Sequence, residues 1–103
     1  MGWEALAHVR PLREDHCLDR RAGGAYVRFL GLAQSETALR ETLSAQLAEL
    51  GLFLVELDDV GMFDPVTVDW HDDELQELTK ELSTETPIRF RAFHNYPRED
   101  FDA

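Results

Sequence analysis

The sequence predicts one α+β domain, a split β-α-β sandwich with element order β-α-β-β-α-β over residues 25–95, preceded by an N-terminal arm. Three observations lead there. A length of 103 residues admits one modest core. Leu39, Leu43, Leu47 and Leu50 recur at helical spacing. Short runs rich in β-branched and aromatic residues flank that stripe on both sides.

Residues 1–24 read as a flexible or docking arm. Their charges are mixed, Pro11 stops the weak helical spacing of Trp3, Leu6 and Val9, and Gly23-Gly24 mark a boundary. The domain proper spans 25–96. Ala25–Leu32 forms its first strand, with Val27 and Phe29 on one face and Tyr26, Arg28 and Leu30 on the other. Ser35 can accept from an unpaired backbone N–H and so caps the leucine-striped helix, which Gly51 ends where a positive φ is needed. Leu52–Leu57 is apolar enough for a central strand, parallel to the first through a right-handed crossover.

Met62-Phe63 and Val66–Val68 supply a short third strand broken by Asp64-Pro65. A second helix from about residue 71 to 82 carries Leu75, Leu78 and Leu82 on one face, with Trp70 stapled onto Leu75. Its first turn is crowded with acids that complement the helix dipole. Ile88–Phe93 is the last strand, and 97–103 is an acidic tail. The sum is the ferredoxin-like arrangement. With both helices on one face, the other face must hide Tyr26, Leu30, Leu32, Leu54 and Phe93, by homodimerisation or beneath the arm.

The formal charge is −11. Residues 1–55 contribute six Arg against seven acids, whereas residues 56–103 set four basic groups against fourteen acids. Binding to nucleic acid phosphates or to an anionic membrane surface is therefore not expected. No apolar run approaches the roughly 20 residues of a membrane span. A start without a basic-then-apolar stretch, together with the lone Cys17, leads to a cytoplasmic expectation.

Candidate chemistry is sparse. His16-Cys17 pairs a thiol with an imidazole, but neighbours on an extended chain point apart and no second Cys completes a zinc set. Asp69-Trp70-His71-Asp72-Asp73-Glu74 is rich in oxygen ligands yet fits no calcium-loop spacing. No metal or cofactor is expected. Eleven acids between Glu56 and Glu85 face only Lys80, a like-charge excess that a basic protein partner would offset. The expected function is thus a non-enzymatic binding module (an inhibitor, immunity-like protein or adaptor). Its surface comprises Asp58, Asp59, Asp64, Asp69, Asp72, Asp73, Glu74, Glu77 and Glu81.

The alternative is a small-ligand sensor or enzyme using the open sheet face or its rim, through Arg89, Arg91, His94 and Tyr96. Those arginines can equally pair with Glu56 or Asp58 across the sheet. Repulsion along the acidic face is expected to raise several carboxyl pKa values, so that mild acid stabilises. Capped and paired acids reverse that sign.

Overall fold

The computed structural model describes residues 1–98. Its element order is β1 (Gly2–Pro11), β2 (Ala22–Leu32), α1 (Glu36–Glu49), β3 (Leu52–Phe63), α2 (Asp73–Glu81), β4 (Ile88–Phe90) and β5 (His94–Pro97). The five strands form one antiparallel sheet of order β3-β1-β2-β4, with β5 also beside β2. No helix among the described residues is long and apolar enough to cross a membrane.

The arm expectation is overturned. Residues 2–11 are the central strand, paired with β2 from Gly2↔Leu32 to Val9↔Ala25 and with β3 from Gly2↔Phe63 to Pro11↔Leu52. Trp3, Ala5, Ala7 and Val9 alternate into the core, which is the period of a strand. The small side chains of Ala5 and Ala7 leave room for the leucines of α1. Gly23-Gly24 lies inside β2 and marks no boundary.

The ferredoxin-like order changes with it. β2 and β3 each run antiparallel to β1, so they are parallel to one another but separated by it. The two strands joined by α1 are thus parallel, as expected, and the strand inserted between them is β1, which precedes both in the chain. Met62-Phe63 extends β3, and Val66–Val68 forms a turn. The last strand is two short ones. β4 pairs with Phe29–Gly31 and β5 with Ala22–Tyr26, and between them Arg91 N donates to Arg28 O at 2.8 Å.

α1 has the expected caps. Ser35 Oγ accepts from Ala38 N at 3.1 Å, and Gly51 follows the helix with φ +78°. Leu39, Leu43 and Leu47 pack on Ala5, Ala7, Val9, Val27 and Phe29 in the main core. The 12–21 loop folds back on this corner, with Leu12 N donating to Gly51 O at 2.7 Å and Leu18 buried.

The two helices do not share a face. Leu30 is fully buried yet stands apart from the α1 core, as does Leu75 of α2. Leu30 sits opposite Arg89, whose Nε faces Glu81 of α2 at 3.2 Å, and Glu74 lines a cleft with Leu6 and Arg28. α2 thus lies over part of the second face, tied to it by Arg89 and Arg91. Trp70 anchors it by donating Nε1–H to Thr79 Oγ1 at 2.8 Å and meeting Phe63 edge-on. Leu54 and Phe93 pack against the α1 core, leaving Tyr26 as the exposed member of the expected apolar set. Pro97 closes β5, and the remaining tail residues, 99–103, lie outside the described residues.

Candidate functional site

The half of the second face that α2 leaves open is built by register. His8 of β1 stands opposite Glu56 of β3 on one side and Tyr26 of β2 on the other, and Tyr26 stands opposite His94 of β5. Side chains directly across strands share a face, so Glu56, His8, Tyr26 and His94 make one lateral row. The next row places Asp58 beside Leu6 and Leu6 beside Arg28.

Tyr96 completes the arrangement from above. Its ring lies over Gly24, where any β-carbon would collide with the hydroxyl. The hydroxyl and His8 Nε2 share a hydrogen bond of 2.7 Å. The His8 ring stacks on Tyr26 with centroids 4.6 Å apart and planes 16° apart, and Tyr96 lies 5.9 Å from Tyr26. Tyr26 remains 42 % exposed, and Phe53, opposite Arg10 on the same face, 41 %. The three rings are fixed by packing and one hydrogen bond while one of them still faces solvent.

Beside this platform, Leu6, Arg28, Glu74, Arg91, Ala92 and His94 line a cleft of about 490 Å3. Its two arginines are already engaged. Arg28 donates to Glu4 at 3.3 Å and Asp59 at 3.2 Å; Arg91 donates to Glu74 at 2.6 Å and Asp72 at 3.0 Å. The hydrogen bond to Glu74, followed by the charges of Asp72 and Glu74, raises the Arg91 pKa further.

The expected acidic surface divides in two. Asp59, Asp72, Glu74, Glu77 and Glu81 pair with Arg28, Arg91, Lys80 or Arg89. Asp72 is also the α2 N-cap, accepting from Glu74 N at 2.8 Å and Leu75 N at 3.3 Å. The Leu75 N–H is the main cause of its lowered pKa, with Glu74 N–H and Arg91 adding to it. Asp72 thus behaves as a capped and paired helix-start acid, for which the opposite sign is expected. Asp58, Asp64, Asp69 and Asp73 are exposed and make no ion pair within 4.0 Å among the described residues; Glu56 joins them. The suggested pairing of Arg89 and Arg91 with Glu56 or Asp58 does not form, because both arginines turn toward α2.

Of the alternative ligand set, Arg91 and His94 line the cleft and Tyr96 the aromatic platform, whereas Arg89 pairs with Glu81 of α2. Leu6, His8, Tyr26, Arg28 and Glu56 were absent from both expected sets. The signal for His8 was its alternation with Trp3, Ala5, Ala7 and Val9, which puts Leu6 and His8 together on the opposite face. Cys17 is exposed, and partial desolvation still pushes its thiol pKa up, away from a reactive thiolate. Among the described residues no three His, Cys, Asp or Glu side chains converge as a metal-binding group. Comparison with protein-family models, curated proteins and solved structures finds no match.

Proposed function

We propose that the chain is a non-enzymatic binding module that presents an acidic surface to a basic protein partner. The observation that carries this reading is the set Glu56, Asp58, Asp64, Asp69 and Asp73, five exposed carboxylates to which the fold supplies no cation within 4.0 Å among the described residues. Uncompensated carboxylates repel one another and attract a basic surface over a Debye length, which speeds encounter. A small anionic ligand in the neighbouring cleft is the weaker reading, since it must displace carboxylates already bound to Arg28 and Arg91.

Affinity capture from the chain's own host cell tests the proposal, comparing the native chain with the triple variant Asp58→Asn, Asp69→Asn, Asp73→Asn. The expected result is a basic protein retained at low salt, released at high salt and lost with the variant. Capture that ignores both salt and the variant overturns it, as does recovery of no partner at low salt.

A further inference from the structure

Strand β3 is an end member of the sheet order β3-β1-β2-β4, and among the described residues its backbone pairs with β1 alone. A strand at the end of a sheet turns alternate N–H and C=O groups outward, where they form a template for one more strand. Among the described residues no turn or loop backbone hydrogen bond reaches residues 53–63. The flanking segments bond elsewhere, Leu12 N to Gly51 O on one side and Val68 N to Asp64 O on the other. Seven of the twelve β3 residues are exposed. A β-carbon at Gly61 would meet nothing within 4 Å.

The two register shifts against β1, at Val55 and at Asp59-Val60, leave Glu56-Leu57-Asp58 as a regular stretch opposite His8-Ala7-Leu6. Strand alternation puts Glu56 and Asp58 on one face and the buried Leu57 on the other. Neither carboxylate has a cation within 4.0 Å among the described residues.

We propose that this stretch accepts an extended segment of the basic partner as an added strand, with basic residues two apart opposite Glu56 and Asp58 and an apolar residue between them beside Leu57. This rests on the acidic-module reading above and deepens it by naming the backbone conformation and the residue spacing that are recognised. In strand addition the main-chain hydrogen bonds supply affinity, and side chains at alternate positions supply specificity. The backbone edge therefore calls for a strand, and the two carboxylates select its sequence. Residues directly opposite on neighbouring strands have β-carbons about 4.5–5.5 Å apart, where opposite charges stabilise the pairing. The same two groups repel a second copy of β3.

Titration of the full chain with two acetylated heptapeptide amides of one composition tests the added strand, by calorimetry and by amide exchange along β3. One alternates, Thr-Val-Lys-Val-Lys-Val-Thr; the other sets its lysines side by side, Thr-Val-Val-Lys-Lys-Val-Thr. The alternating peptide is expected to bind about five-fold more tightly, the upper scale of one well-placed cross-strand charge pair, and to slow exchange at alternate β3 amides. Backbone N-methylation of its two lysines, or of its three valines, removes the N–H groups along one edge or the other. One of these sets should abolish binding and the other should spare it. Glu56→Gln and Asp58→Asn should each weaken the alternating peptide about two- to five-fold. Glu41→Gln, an exposed change on α1, should leave it unaffected. Equal binding of the two peptides, or equal loss with either N-methylated set, overturns the added strand and leaves attraction between charges alone, with which the acidic-module reading stands. Absence of binding by the alternating peptide also overturns the added strand. The module reading itself falls only on the capture experiment, with its salt and triple-variant controls.

Discussion

A β-carbon at Gly24 would meet the Tyr96 hydroxyl and lie 2.6 Å from Val9 O, a backbone atom that cannot step aside. Gly24→Ala is therefore expected to destabilise the fold by about 1–3 kcal/mol, the usual range for overpacking, and to detach Tyr96 from His8. Nothing lies within 4 Å of the corresponding point at Gly61, so Gly61→Ala should be neutral or slightly stabilising in the same urea denaturation series. Equal costs at the two positions would contradict the packing argument. Asp72 gives the residue-scale prediction for pH. Its folded-state pKa lies below the ordinary carboxylate value, chiefly through the Leu75 N–H. Its contribution is fully present above the unfolded value of about 3.9 and is lost as pH falls through the lower folded one. The melting temperature should accordingly fall in acid below about pH 4, and that fall should be shallower in Asp72→Ala.

At the scale of elements, β1 decides whether the sheet exists. It is the only strand hydrogen-bonded to β3 among the described residues, and it buries Trp3, Ala5, Ala7 and Val9. Deleting residues 1–11 should abolish cooperative folding, seen as loss of the thermal transition and of amide dispersion; a truncated chain that still melts cooperatively would restore the idea of a dispensable arm. The helices, their caps and the start of β3 were legible because periodicity, Ser35, Asp72 and Gly51 are local signals. β1 was not, for a physical reason. Ala5 and Ala7 have little strand propensity, and their value comes from the close approach of α1, a contact absent from the local sequence. Trp3, Leu6 and Val9 meanwhile mimic helical spacing. The site was legible in part for the same reason. Arg91, His94 and Tyr96 were found from their place at a strand end, but His8 went unseen with its strand. The pairing of Arg91 with Asp72 and Glu74 needed α2 to cross to the second face, which no periodicity reports.

Over the whole molecule, helices on opposite faces divide the apolar surface differently from a two-helix, one-face sandwich. Leu30, which was expected to need a second subunit or the arm to cover it, is fully buried within the chain. One edge of the sheet is β3, and it carries two register shifts against β1, one at Val55 and one between Asp58 and Gly61, where Asp59 takes φ +53°. Bulges and like charges are the devices by which edge strands resist pairing with copies of themselves. Glu56, Asp58 and Asp59 supply the charge here. A twofold pairing of β3 with a second β3 would bring these carboxylates together at a spacing where repulsion is strong. The chain should therefore be monomeric in sedimentation equilibrium at low and moderate salt. Equilibrium sedimentation suits the test because dimensions of 50 × 26 × 21 Å would inflate a mass read from gel filtration. Neutralising the edge with Glu56→Gln and Asp58→Asn should allow concentration-dependent association that the native chain lacks, since Phe53 and Val55 remain exposed there. A native dimer insensitive to these changes would mean that another surface, and not the charged edge, governs assembly.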